Sequence, residues 1–274
     1  MANFEVESGG VTLAGTENGD GVPVVLLHGL TATRRYVVMG SRTLERSEHR
    51  VVAYDARGHG ASTPAPDPDA YDYDDLVTDL QAILDDRGID RALLAGASMG
   101  AHTAVRLALD APERVAGLVV ITPSFDPESD DHRDLERWDA LSRGLREDGV
   151  EGFVAAYGQP AVPEAWRETI QKVLRQRLSS HEHPEAVADA LRAVPRSRPF
   201  QAWGDLAALD VPTVVVASRD DADPGHPYAT GERYAEAIAG ARLRSEQPGA
   251  SPLAWQGGQL SKVIAELAAE RAGP

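Results

Sequence analysis

At 274 residues, with 42 % hydrophobic and 26 % charged side chains, the chain has the apolar content of one large folded domain, or of a core with an insertion, and not that of a disordered segment. A formal net charge of −16 argues against a footprint for nucleic acid or anionic membrane, and no apolar run approaches the roughly 20 residues that span a bilayer. Cysteine is absent, which excludes disulfides, thiolate metal sites and a cysteine nucleophile, and the start "MANFEVESGG" shows no basic-then-apolar leader, so a cytoplasmic location is expected.

Short apolar runs and helix-period segments alternate through the first 120 residues, the pattern of an α/β protein with a parallel sheet. "FEVES" and "VTLAG" around Gly9 and Gly10 read as an opening hairpin. "VPVVLLHG" (22–29), "RVVAYDA" (50–56), "RALLAGA" (91–97) and "VAGLVVIT" (115–122) are continuous apolar runs, expected of strands covered on both faces. Between the second and third runs, Leu76, Leu80, Ile83 and Leu84 recur at helical spacing, with Gly88 as the stop. From Phe125 to Arg198 the strand signal disappears. Leu135, Trp138, Leu141 and Leu145 mark one amphipathic helix, Trp166, Ile170, Val173, Leu174 and Leu178 a second, and Val187, Leu191 and Val194 a third. The α/β pattern resumes with "VPTVVVAS" (211–218), a helix near Gly231 to Ile238, a strand from Arg242, and a final helix through Leu260, Val263, Ile264 and Leu267. An all-helical insertion within an α/β sheet predicts a cap (125–198) over one edge of a core formed by 1–124 and 199–274.

"GASMG" (96–100) is a G-x-S-x-G match between a buried strand and a helix, the context in which that motif carries meaning. A sharp strand-to-helix turn strains the backbone at Ser98, and small residues two before and two after it prevent collisions. The hydroxyl then stands exposed at the carboxyl end of the sheet, with a helix N-terminus behind it to favour developing negative charge. Upstream, "HGLTA" follows the first apolar strand directly. The amides of Leu30 and Met99 are placed to converge as an oxyanion hole, since two backbone donors must meet the oxygen of a tetrahedral intermediate.

Together, "HGL", "YDARGHGAS" (54–62) and "GASMG" stand in the order and spacing of the α/β-hydrolase superfamily, and the chain resembles its capped branch along essentially its whole length. The resemblance implies an eight-stranded, mostly parallel sheet with a helical cap insertion. It also implies a serine nucleophile, an acid after the strand following the cap, and a histidine after the last strand. The segment "VPTVVVASRDDADPGHP" is similar to the family's strand and G-x-x-D turn, with Ser218 in the glycine position. Asp221 matches the acid, and Asp220 and Asp223 are neighbours able to substitute. The histidine is missing from its usual place: the family commonly reads "PGAGHSP" there, and this chain reads "PGASP" (248–252).

Of the eight histidines, His226 is the first candidate for the absent base, because "DADPGHP" places it five residues after Asp221 on the loop that approaches the catalytic centre in this family. His102, four residues after Ser98, reads as a packed, hydrogen-bonded side chain. His132, His181 and His183 fall in the expected cap. Substrate contacts are expected from His28, Trp138, Trp166 and Trp255, with Phe125, Phe153, Tyr157 and Met99 contributing apolar wall. Two functions stay open: a hydrolase of a small carboxylic ester, thioester or lactone, needing no metal or cofactor, and a non-catalytic small-molecule binding protein that keeps the fold without the base. The sequence carries no signal for oligomeric state.

Overall fold

The computed structural model describes residues 1–129, 132–159, 162–219, 223–247 and 255–270. The opening hairpin is β1 (Ala2–Ser8) and β2 (Val11–Asn18), paired antiparallel and joined at Gly9 and Gly10, both at positive φ. The apolar runs form β3 (Val22–Leu27), β4 (His49–Tyr54), β5 (Ala92–Ala97), β6 (Val115–Ile121) and β7 (Thr213–Val216), and β8 (Arg242–Arg244) closes the far edge. The eight strands lie in the order β1-β2-β4-β3-β5-β6-β7-β8. β2 meets β4 antiparallel, and every pair from β4 to β8 is parallel.

Both faces of this sheet are covered, which is why its strands are apolar throughout rather than alternating. Val25, Leu27, Leu94, Val120 and Val215 face α1 (Tyr73–Asp86), α2 (Met99–Asp110) and the end of α6 (Tyr228–Ala237). Their sequence neighbours Val24, Leu26, Leu93, Val119 and Val214 face α7 (Gly257–Ala269) through Leu260, Ile264 and Leu267. The helix predicted to stop at Gly88 ends at Asp86, starts with a reciprocal Asp72–Asp75 capping box, and is followed by Gly88 at φ 61°. Chain direction across the sheet reverses at β3, which has β4 on one side and β5 on the other. In open α/β sheets the crevice at the carboxyl ends of such strands is where ligands bind.

Between β6 and β7 the chain builds α3 (His132–Tyr157), α4 (Glu164–Leu178) and α5 (Pro184–Ala193). Leu141, Leu145, Phe153, Leu174, Leu178, Val187 and Leu191 form a core of their own. α3 is two helices meeting at Asp148 and Gly149, whose φ of 62° breaks the ladder, a break the heptad-like run of leucines did not announce. Val173, expected on the apolar face of α4, is 44 % exposed, because α4 touches its neighbours mainly through Leu174 and Leu178. α5 seats the insertion on the sheet domain: Ala186, Ala190 and Val194 pack with Tyr71, Tyr73 and Met99, and Leu30 touches both this cluster and the insertion's own core.

Candidate active site

Ser98 alone separates β5 from α2, at φ 50° and ψ −115°. A non-glycine residue held there carries strain of about 1–3 kcal/mol. Two backbone bonds keep it in place: Ser98 N–H donates to the Ile121 carbonyl at 3.0 Å, and His102 N–H donates to the Ser98 carbonyl at 3.0 Å. The flanking glycines are steric necessities, since a Cβ on Gly96 would strike the backbone of Gly100, and one on Gly100 would strike the carbonyl of Leu27. Ser98 remains partly exposed, and its hydroxyl, although at the helix N-cap, makes no capping hydrogen bond.

The turn after β3 rests directly on this elbow: a Cβ on Gly29 would lie 3.2 Å from the Ala97 carbonyl oxygen and 3.4 Å from Ser98 Cβ. Among the described residues, neither the Leu30 amide nor the Met99 amide donates to a protein acceptor. Met99 itself is 3 % exposed and packs with Tyr71, Tyr73 and Ala186, so its side chain is core.

His28, expected against the substrate, is instead tied on both ring nitrogens. Nδ1–H donates to the Gly29 carbonyl at 2.9 Å, and Nε2 accepts from Ala56 N–H at 2.9 Å. Burial dominates in lowering its pKa, with partial compensation from Asp55, so it is a neutral peg that fixes the turn and has no nitrogen left for a ligand. His102 is equally committed, bonded at Nδ1 to the Tyr73 hydroxyl (2.9 Å) and at Nε2 to the amides of Ser124 and Phe125 (3.2 Å each). Burial, with a smaller push from the charge of His226, lowers its pKa to about 3.

His226 sits in a four-residue turn, Asp223-Pro224-Gly225-His226, closed by its own N–H to the Asp223 carbonyl at 3.2 Å. Its Nδ1 lies 2.8 and 2.9 Å from the two Asp223 carboxylate oxygens. Burial by itself would raise the Asp223 pKa, yet the hydrogen bond and charge of His226, with Arg177 behind them, hold that carboxyl below the usual range. The carboxylate thus fixes the Nδ1–H tautomer and leaves Nε2 with a lone pair. His226 and Ser98 are not hydrogen-bonded to each other: His226 bonds through Nδ1 to Asp223, and the Ser98 hydroxyl bonds to no described residue. Asp220, Asp221 and the "GASP" segment after Pro248 lie outside the described residues.

The remaining expected contacts divide. Trp138 packs against the insertion's core, Trp166 is half-buried in the first turn of α4, and Phe153 is core at 2 % exposure. Phe125 joins an aromatic cluster with His102 and Phe200. Trp255 is an anchor: its indole N–H donates to Glu246 at 2.7 Å while its ring packs under the sheet. Glu246 also accepts from the Ser218 hydroxyl at 2.8 Å, so one carboxylate ties the turn after β7 to the segment after β8. His183 is a surface side chain 3.5 Å from Glu185, and the side chain of His132 lies outside the described residues.

His181 joins the insertion to the sheet domain. Gly60 N–H donates to its Nδ1 at 2.9 Å, so its Nε2–H is the donor to the Thr31 carbonyl at 3.0 Å. Burial dominates in lowering its pKa, to about 4, which keeps it neutral and in this tautomer at pH 7. "YDARGHGAS" is likewise structural: Asp55 receives Arg34 and the amide of Ala61, and Arg57 forks onto Asp79 at 2.7 and 2.8 Å.

A cavity of about 790 Å³ opens between the start of α4 and the turn after β7, lined by Val162, Arg167, Ser218, Asp223, His226 and Tyr228. Sequence reasoning preferred Asp221 as the acid and missed the pairing of Asp223 with His226. The signal was present in "DPGH", a Pro-Gly turn that brings its first and fourth residues together. Among the described residues no group of three or more His, Asp or Glu side chains is arranged to hold a metal ion.

Residues 22–250 match the family model described as alpha/beta hydrolase fold. The putative carbamate hydrolase RutD of Variovorax paradoxus (strain S110) is 31 % identical over 220 residues, covering 80 % of each chain. Among solved structures, a thermophilic esterase from Thermogutta terrifontis, with malate bound, superposes with a TM-score of 0.80 at 24 % identity over 99 % of each chain. The enol-lactonase from Burkholderia xenovorans LB400 superposes with a TM-score of 0.75 at 21 % identity, over 97 % of this chain and all of that one. At such identities the structural likenesses speak for the fold alone.

Proposed function

The chain belongs to the α/β-hydrolase family, and on that premise we propose that it is a serine hydrolase of a small carboxylic ester, thioester or lactone. The observation that carries this reading is the Ser98 elbow: a strained residue whose hydroxyl makes no hydrogen bond with a described residue, with the amides of Leu30 and Met99 likewise without an acceptor among the described residues. The relative described as a putative carbamate hydrolase, 31 % identical over 80 % of each chain, supports the choice of a carbonyl substrate. α3 to α5 serve as a cap over the carboxyl ends of the strands, with 1–124 and 199–274 as the catalytic core.

In this mechanism Ser98 Oγ attacks the substrate carbonyl carbon and its proton passes to Nε2 of His226. The oxyanion is received by the amides of Leu30 and Met99. Collapse of the tetrahedral intermediate breaks the bond to the leaving group, which takes the proton from His226. Water then attacks the acyl-enzyme by the same route and releases the acid and Ser98. Asp223 holds His226 in its productive tautomer and stabilises the imidazolium, the task the family pattern assigned to Asp221. The absence of a His226–Ser98 hydrogen bond in the unliganded chain does not exclude the pair, since catalytic hydrogen bonds in unliganded enzymes commonly tighten only with substrate in place.

The test is steady-state hydrolysis of a short-chain 4-nitrophenyl ester. Ser98→Ala abolishes turnover above the blank, and His226→Ala lowers kcat/KM by roughly a thousandfold. Wild-type turnover equal to that of Ser98→Ala would falsify the hydrolase reading and leave a ligand-binding protein. Unimpaired turnover in His226→Ala removes that residue from the mechanism.

A further inference from the structure

A second cavity, of about 450 Å³, opens where the helical insertion meets the loop before α1, and it shares no lining residue with the cavity beside His226. α3 supplies Asp139, Ser142, Arg143 and Arg146, a spacing of three and four residues that puts them on one helical face. Arg192 comes from the last turn of α5, Arg196 from the turn after it, and Asp69 from the sheet domain. This lining inverts the charge of the chain. Acidic side chains outnumber basic ones by 43 to 27 overall, whereas four guanidiniums meet two carboxylates here. No aromatic ring lines the hollow, and its one apolar side chain is that of Ala193. The walls therefore offer neither a stacking surface for a base nor a bed for an acyl chain.

The carboxylates leave most of these donors unspent. Arg196 donates to Asp139 at 2.8 Å, and Arg192 pairs with Asp69. Arg146 turns to Asp189, which does not line the cavity. Arg143 has no hydrogen-bond or ion-pair partner among the described residues, so all five of its donors are open. The Arg192–Asp69 and Arg196–Asp139 pairs join well-exposed side chains, and such pairs are weak and screened by salt. An anion that accepts from several guanidiniums at once can therefore displace them, and it relieves the mutual repulsion of the four cations. On a chain with a formal net charge of −16, this is a local device; the surface as a whole repels anions.

We propose that this cavity is a binding site for a compact diphosphate, either the free anion or the diphosphate group of a small molecule. Arg143 and Arg146 are one turn apart on α3, as are Arg192 and Arg196 at the end of α5, so two helices each present a pair of planar forks. Two linked phosphoryl groups give each pair its own set of oxygens, which a single carboxylate does not. Asp69 competes with the ligand for Arg192. The site is separate from Ser98 and His226 and does not depend on the hydrolase reading.

The test is calorimetric titration of the whole chain with pyrophosphate, at constant ionic strength and without divalent cations. Pyrophosphate is expected to bind about tenfold more tightly than orthophosphate or sulfate. Arg143→Gln breaks no ion pair among the described residues and is expected to weaken that binding about tenfold. Asp69→Asn removes the competing carboxylate and tightens it several-fold, a gain that misfolding does not produce. Arg175→Gln, on α4 outside the cavity, leaves it unchanged. ADP separates the two sources of the group. Binding equal to that of pyrophosphate supports the proposal for an esterified diphosphate, and binding about tenfold weaker supports it for the free anion. Absence of pyrophosphate binding at millimolar concentration overturns the proposal. So does an affinity equal to that of sulfate and indifferent to Arg143→Gln and Asp69→Asn, which is diffuse attraction to a surface. Citrate binding as tightly as pyrophosphate overturns the assignment to a diphosphate.

Discussion

Asp223 and His226 form the smallest unit on which the proposed chemistry depends. A neutral histidine has one donor and one acceptor nitrogen, and the carboxylate 2.8 Å away decides which is which. Asp223→Asn removes the charge that stabilises the imidazolium and is expected to lower kcat/KM by about two to four orders of magnitude while leaving the melting temperature nearly unchanged, a split readable from ester kinetics beside a thermal scan. Gly100 makes the opposite case. A methyl group there meets the Leu27 carbonyl, and neither backbone can yield without moving β3 or α2. Gly100→Ala should therefore cost about 3 kcal/mol of stability in a denaturant titration, well above an ordinary glycine-to-alanine change in a helix. At this scale the sequence was informative where a residue's role is local. Ser98 and its glycines were readable because strain and collision act between neighbours. The roles of His28 and Trp255 were not, because each is set by a partner in another element: Ala56 for His28 and Glu246 for Trp255.

Among the elements, the loop between α4 and α5 carries an unusual share of the junction between insertion and sheet domain. His181 accepts from Gly60 and donates to Thr31, and Glu182 N–H donates to the Gly60 carbonyl at 2.8 Å. Thr31 adjoins Leu30, so this junction also sets the position of one of the two proposed oxyanion donors. His181→Phe keeps the ring volume, strands the Gly60 amide and frees the Thr31 carbonyl. The expected loss is about 2 kcal/mol of stability, with a fall in kcat larger than the change in KM. Unchanged kcat with lowered stability would confine His181 to a structural role. The strands and flanking helices were legible element by element, since two covered faces demand apolar runs and one covered face demands helical spacing. The break in α3 at Gly149 and the exposure of Val173 were not, because they depend on which neighbour each helix meets, a choice made in three dimensions.

For the molecule as a whole, buried neutral histidines set the acid limit of stability. His102 and His181 have pKa values lowered by burial to about 3 and about 4, His59 is pushed well below its ordinary value by burial and by His28 and His181, and His28 is lowered as well. In the unfolded chain each titrates near its ordinary value of about 6.5. Between that value and the folded one the unfolded state binds more protons, so stability is fully present above about pH 6.5 and is lost as pH falls toward 4 and then 3. Denaturant titrations from pH 8 to pH 4 should show a decline of at least about 3 kcal/mol, beginning below pH 6.5. A flat profile across that range would show that these histidines are hydrated in solution.

The central claim, that the elbow at Ser98 holds an activated nucleophile, is tested most directly by covalent labelling. Folded protein treated with a fluorophosphonate, alongside a heat-denatured control, is digested and the adduct mapped by mass spectrometry. The account predicts fast, heat-sensitive labelling at Ser98 that His226→Ala slows by orders of magnitude. Labelling of Ser98 no faster in the folded protein than in the denatured control contradicts it.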